Sequence, residues 1–202
     1  MKEFLKKLTD IIYVNFLWLL VSFLGLLITT GASTTALFRV IFQIMKKHEP
    51  TNVLNLFVKS FKENFLLSTL VWLVLIIIGI PLFFMYHYAL SMEITWLLIL
   101  AIVSSYQVIL FLIYVFPTIA LFKTDKHSTL IKNVLLLQNK NLWTNFKLLG
   151  SMLFVILLIL FVHNMFLILA VGLYGVLISF HLKKVFLPYL KDLGEIDEEE
   201  GI

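Results

Sequence analysis

An all-α fold, a polytopic membrane helix bundle with about five long spans and one short helix after the first, follows from three features of this chain. Leu148 to Leu182 is a run of 35 residues without Asp, Glu, Lys or Arg, and apolar runs of about 18 or more residues read as membrane spans. Hydrophobic residues make up 61% of the chain and charged residues 14%, where a soluble domain carries about 25% charged residues. The 15 lysines cluster at the ends of apolar runs, as they do beside a cytoplasmic membrane face. Mean hydropathy is +1.01.

At 202 residues the chain reads as a single integral membrane domain over 1–190 and an acidic cytoplasmic tail over 191–202. The formal charge of +4 hides an asymmetry: residues 1–190 hold 15 of the 16 basic residues and six of the 12 acids, a balance of +9, and the tail holds Lys191 and six acids. In a soluble protein a basic body would suggest nucleic acid. Here the cations flank spans, so no nucleic-acid partner is expected. Cysteine is absent, which removes disulfides, thiolate metal sites and thiol nucleophiles.

Lys2, Lys6 and Lys7 precede an apolar run that continues well past the core of a signal peptide and lacks a prompt small-x-small cleavage site, so it reads as an uncleaved first span. That span runs from about Ile11 to Ile28. Gly31 is expected to form the following turn and Ser33 or Thr34 to cap the next helix. The short helix covers about Ser33 to Met45, with Leu37, Val40, Ile41 and Ile44 on one face and Thr35, Arg39 and Gln43 on another. It rises about 20 Å, short of a hydrocarbon core of about 30 Å, so it is a tilted or partly embedded arm, or a helix in the interface plane.

Lys46 to Asn64 reads as a polar connector holding an amphipathic interfacial helix over about Asn52 to Glu63, capped by Thr51 or Asn52. Phe65 to about Tyr86, with Pro81, and Thr95 to Phe122, with Pro117, are the next spans. The latter is long enough to tilt or kink at its proline. Lys123 to Lys147 is polar with helical periodicity over Leu130, Ile131, Val134, Leu135 and Leu137.

As one helix the uncharged 35-mer would be about 52 Å long. Split at His163-Asn164, it makes two spans and returns Lys183 and Lys184 to the side of Lys147. Six helical passes then place both termini on one side, together with every lysine, which predicts an N-in, C-in topology. Trp18, Trp72, Trp96 and Trp143 fall near span ends and suit interfacial anchoring. Asn-Phe recurs at Asn15, Asn64 and Asn145, each where a span begins, either a trace of duplication or chance in a chain with 19 Phe.

Residues that could carry chemistry are few. His48, His87, His127, His163 and His181 show no metal-ligand spacing within a span. No nucleotide-binding glycine loop, Gly-x-Ser-x-Gly or His-Glu-x-x-His motif occurs. The sequence therefore predicts no enzyme and no cofactor. Arg39 is the one charge within an apolar-periodic helix. It either serves a function in the membrane or snorkels and bonds Gln43 and turn carbonyls. Glu93 flanks a span or touches a ligand. Pro81 and Pro117 either free backbone groups at a transport site or simply kink. Gly172, Gly175 and Ser179 form a small-residue stripe that admits a close helix, from within the chain or from a partner. Ser104, Ser105 and Gln107 are the main polar cluster of the third long span, and a continuous polar pathway is not evident.

Asn15-Phe-Leu-Trp18 and Gly31-Ala-Ser-Thr34-Thr-Ala-Leu, followed by Phe57-Val-Lys-Ser-Phe61-Lys-Glu-Asn64-Phe, Trp72, Phe116-Pro117 and Leu130-Ile-Lys-Asn-Val-Leu135, resemble the YesL family (DUF624) of bacterial membrane proteins over about residues 4–190. The chain departs from the family at Leu24-Gly-Leu-Leu, where members commonly carry a proline before the turn. The resemblance implies a multi-pass protein of the bacterial plasma membrane with both termini cytoplasmic. It further implies a non-catalytic accessory subunit of a carbohydrate ABC importer, whose partners beyond the lipid bilayer are the permease subunits and their ATPase. Asn15, Trp18, Gly31, Thr34, Arg39, Phe61, Asn64, Pro117, Gly172, Gly175 and Ser179 are the candidate functional or partner-contact residues. An autonomous small-solute transporter or channel, using Arg39, Thr34 and the proline-broken spans, is the rival. A membrane scaffold or sensor is a third reading.

Overall fold

The computed structural model describes residues 2–46, 52–122, 127–163 and 166–192. Among these every regular element is helical: α1 (Lys2–Leu24), α2 (Thr30–Ile44), α3 (Val53–Ser91), α4 (Thr95–Leu121), α5 (His127–Lys140), α6 (Leu142–Leu157) extended by a π-helical turn (Leu158–Val162), and α7 (Phe166–Asp192). Five of them are long and apolar enough to cross a membrane: α1, α3, α4, α6 with its π turn, and α7. The expected all-α bundle of five long apolar helices with a short helix after the first is the architecture observed.

The short helix is the centre of the molecule. Eleven of the 15 residues of α2 are buried, including Ala32, Ala36, Leu37, Val40 and Ile41. It runs antiparallel along α3: Gly31 lies against the Ser68 carbonyl and Trp72, Thr35 against Ser68, and Ile44 clusters with Val53 and Phe57 near the start of α3. This burial removes the reading of α2 as a helix in the interface plane. Its start also differs from expectation. α2 begins at Thr30, and neither Ser33 nor Thr34 caps it: the Ser33 amide donates to the Thr29 carbonyl and the Thr34 hydroxyl to the Thr30 carbonyl. The turn itself lies earlier, at Gly25–Thr29, where Leu26 and Leu27 take φ of 49° and 63°. Gly31 sits inside the helix and serves close packing instead.

A second correction concerns α3. The expected interfacial helix and the following span are one 39-residue helix. Nothing between Val53 and Ile78 breaks a helix, and the rings of Phe57, Phe61 and Phe65 follow one another along it, the first pair stacked and the second tilted, with centroids 6.4 and 5.4 Å apart. Asn52 caps α3 as expected, its side-chain oxygen accepting from the Asn55 amide at 3.0 Å. Pro81 and Pro117 both lie inside helices that continue past them.

The uncharged 35-mer is divided as its length requires. His163 is extended, with φ −166° and ψ 138°, and ends the π turn. Asn164 lies outside the described residues. α6 and α7 pack on each other, with Ser151 Oγ 3.0 Å from His181 Nε2 and the Tyr174 hydroxyl donating to the Leu148 carbonyl at 3.4 Å. On α5, Leu130, Val134 and Leu137 enter the main core, whereas Ile131 and Leu135 line a cleft against α3 and α4. The acidic tail beyond Asp192 lies outside the described residues. Trp96 and Trp143 are exposed, as anchors would be.

Candidate functional site

Two groups of polar side chains cross between helices in an otherwise apolar interior, and most of the sequence-predicted residues fall in the first. Asn15 is buried on α1 and addresses α7: its Nδ2 donates to the Ile168 carbonyl and its Oδ1 accepts from the Gly172 amide, both at 2.7 Å. Those two backbone groups are the i and i+4 positions of one helical turn, so a single side chain addresses both ends of that turn. Gly172 permits this, because a Cβ there would come within 2.7 Å of Asn15 Cβ. Gly175 is likewise covered from within: a Cβ there would lie 2.9 Å from Ile41 and Leu37 of α2. Ser179 is buried and its hydroxyl has no hydrogen-bond partner among the described residues. The small-residue face of α7 thus receives α1 and α2 of the same chain.

Around the α1–α2 turn, Trp18 Nε1 donates to the Thr34 hydroxyl at 2.9 Å, and that hydroxyl donates onward to the Thr30 carbonyl at 2.7 Å. Trp72 Nε1 donates to the Leu27 carbonyl at 3.0 Å. The hydroxyls of Thr35 and Ser68 bond at 2.8 Å where α2 meets α3. A Cβ on Gly31 would collide with the Ser68 carbonyl and lie 2.7 Å from Trp72 Cβ. In hydrocarbon such bonds have no competing water, and small residues are what allow helix backbones this close.

Arg39 leaves α2 toward the end of α4, where Nη1 donates to the Ala120 carbonyl at 2.9 Å. The last carbonyls of a helix lack intrahelical partners and carry the negative end of its dipole. The guanidinium therefore bonds the terminus of α4. Pro117 lies one turn earlier in the fully buried stretch Ile113–Ala120. Phe61 stacks on Phe57, and Asn64 Nδ2 donates to the Ser60 carbonyl of its own helix at 3.0 Å.

The second group was not anticipated. The Tyr114 hydroxyl on α4 donates to Asn145 Oδ1 on α6 at 2.8 Å, and Asn145 Nδ2 donates to the Gln138 carbonyl on α5 at 2.7 Å. The Gln138 side chain is fully buried with neither amide atom hydrogen-bonded among the described residues. The recurring Asn-Phe pair was the available signal. In all three copies the Phe is exposed, while Asn15 and Asn145 turn inward to bridge helices and Asn64 stays local. Of the polar cluster on α4, Gln107 donates to Asn139 of α5 at 3.2 Å. It is the one polar lining residue of a cleft of about 430 Å³ between α3, α4 and α5.

These side chains are spent on carbonyls, amides and hydroxyls of neighbouring helices. Arg39, Thr34 and Pro117 do not converge on a shared cavity: Arg39 reaches Ala120, Thr34 bonds Trp18 and Thr30, and Pro117 is packed in the core. What the arrangement does chemically is fix helix against helix.

Comparison with known proteins bears on the first half of the chain. Residues 11–86 match the model of a family described as "Protein of unknown function, DUF624". The matched segment takes in α1 from Ile11, all of α2 and most of α3, hence Asn15, Trp18, Gly31, Thr34, Arg39, Phe61 and Asn64, and is shorter than the resemblance read over 4–190. No curated protein and no solved structure matches the chain. The match over 11–86 supports the chain's membership of the DUF624, YesL-type, family.

Proposed function

We propose that this protein is a non-catalytic accessory subunit of a carbohydrate ABC importer in the bacterial plasma membrane, with both termini cytoplasmic, contacting the importer's permease subunits. The observation that carries the reading is the division of labour among its side chains. Polar groups turn inward to lock helices together, and the outward surface of the α3–α4 hairpin is apolar, with Ile77, Ile80, Phe83, Phe84, Trp96, Ile99 and Val103 exposed. Such a surface suits packing against lipid or against the helices of another membrane protein. The small-residue face of α7, filled by α1 and α2, takes no part in this contact. An autonomous transporter would gather its polar groups on a substrate; Arg39 and Thr34 instead bond backbone and Trp18. The importer association itself rests on the family resemblance.

The test is affinity purification from the native membrane in mild detergent, followed by mass spectrometry. Stoichiometric permease subunits and ATPase are the expected companions. Recovery of the chain alone across several detergents would overturn the reading and direct attention to solute flux in liposomes.

A further inference from the structure

We propose that α1 and α2 form a re-entrant hairpin whose tip, Phe23–Ile28, ends among acyl chains in the middle of the bilayer and does not reach its far surface. The first argument is length. Asp10 and Glu63 are the last charges before the apolar parts of α1 and α3, so they mark one polar boundary. From Asp10 to Leu24, α1 rises about 21 Å, and from Glu63 to Ser91, α3 rises about 42 Å. A hydrocarbon core is about 30 Å thick. α3 and α4 cross it with length to spare; the α1–α2 hairpin does not.

The second argument is position along α3. Trp72 Nε1 holds the Leu27 carbonyl, and Trp72 stands about 14 Å beyond Glu63 along the helix. α3 then continues for about 28 Å beyond Trp72. Its residues there, Ile76, Ile77, Ile78, Ile80, Phe83 and Phe84, are apolar and exposed, which suits hydrocarbon and not water. The tip therefore sits about 14 Å past Glu63, a third of the way along α3 from Glu63 to Ser91 and well inside a hydrocarbon core of about 30 Å.

The third argument is the chemistry of the turn. Left-handed φ favours Gly, Asn or Asp on steric grounds. Here Leu26 and Leu27 adopt it, and Leu26 is 81% exposed. The backbone around them is turned on itself. The Gly25, Leu26, Leu27, Ile28 and Thr30 amides donate to Val21, Phe23, Ser22, Gly25 and Leu27 carbonyls, and the hydroxyls of Thr29 and Thr30 to those of Val21 and Leu27. An unpaired peptide group in hydrocarbon is costly, and five of the six amides from Gly25 to Thr30 are paired in this way. The α3–α4 turn differs: Ser91 and Glu93 are exposed there, and Glu93 carries the positive φ of 57°. One turn is built for hydrocarbon and the other for water.

The chain has no cysteine, which permits a direct test on the full-length protein in liposomes of phosphatidylcholine and phosphatidylglycerol. Ser91→Cys and Lys62→Cys are expected to react with a membrane-impermeant maleimide, from opposite sides. Leu26→Cys is expected to lose reaction from either side and to react once the bilayer is dissolved and the chain denatured. A nitroxide at Leu26→Cys is expected to collide with oxygen and not with a water-soluble nickel chelate. Reaction of Leu26→Cys from the side that labels Ser91→Cys would show a full crossing and overturn the proposal. Exclusion of oxygen as well as nickel would place protein over the tip and overturn the acyl-chain contact. Phe23→Cys, at the exposed end of α1, gives the same readings if Leu26→Cys does not fold.

Discussion

Asn15 and Gly172 hold each other across α1 and α7: the Gly172 amide donates to Asn15 Oδ1 at 2.7 Å, and the absence of a Cβ at Gly172 is what lets the asparagine approach. Asn15 Nδ2 donates to the Ile168 carbonyl, so one side chain answers both a donor and an acceptor. Asparagine alone among residues of its size does this without charge.

Asn15→Ala is expected to lower stability by about 1 kcal/mol, since the freed α7 groups can bond each other. Asn15→Asp is expected to cost more, because a carboxylate cannot donate to Ile168 and would be buried or protonated. Gly172→Ala adds a Cβ against Asn15 Cβ and is expected to cost about 1–3 kcal/mol, relieved by Asn15→Gly but not by Asn15→Ala. Unfolding of the purified protein in detergent, followed by circular dichroism against denaturant, ranks the three single and two double variants.

Gly31→Ala separates packing from turn formation. The new Cβ would meet the Ser68 carbonyl, which is backbone and cannot rotate away, and the expected loss is about 1–3 kcal/mol. Gly150 and Gly79 are helical with nothing near a Cβ. Their Ala variants are expected to gain about 0.5–1 kcal/mol from the lower conformational entropy of the unfolded chain. A destabilising Gly150→Ala together with a neutral Gly31→Ala would reject the packing account.

Arg39→Ala removes a charged donor from the terminus of α4 and is expected to lower stability by about 1–3 kcal/mol. Arg39→Lys keeps the charge with a less directional donor, and partial rescue is expected in thermal unfolding. A transport role for Arg39 would instead show as loss of flux at unchanged stability.

Tyr114→Phe and Asn145→Ala should be strongly non-additive, since both remove the same bond; a double-mutant cycle is expected to give a coupling of about 1–2 kcal/mol. Gln138→Met replaces an amide that is fully buried and unpaired among the described residues. It is expected to raise stability by about 1 kcal/mol or more, because a buried polar group without a partner costs more than a thioether of similar volume.

Much of the fold is legible in the order of residues. Lysines placed before and after apolar runs bound the spans, Asn52 before Val53 signals a helix start, and 35 uncharged residues cannot be one helix in a bilayer. Asn15, Trp18, Gly31 and Arg39 stand out because a polar residue, a small residue or a charge within an apolar run is unusual. Their partners are less legible. Ile168 and Ala120 enter through backbone groups, which no side-chain pattern announces, and Tyr114, Gln138 and Asn145 look like residues beside any span end.

The sequence by itself determined that this chain is a helical membrane protein, and roughly where its helices begin and end, because hydrocarbon rejects charge and unpaired backbone whatever the packing. Only the tertiary structure decided which faces meet. In water, periodicity separates a buried face from a wet one. In a bilayer both lipid-facing and core-facing positions are apolar, as Leu37 in the core and Leu26 at the exposed tip show. The choice then falls to close approach, at Gly31, Gly172 and Gly175, and to a few hydrogen bonds between segments far apart in the chain.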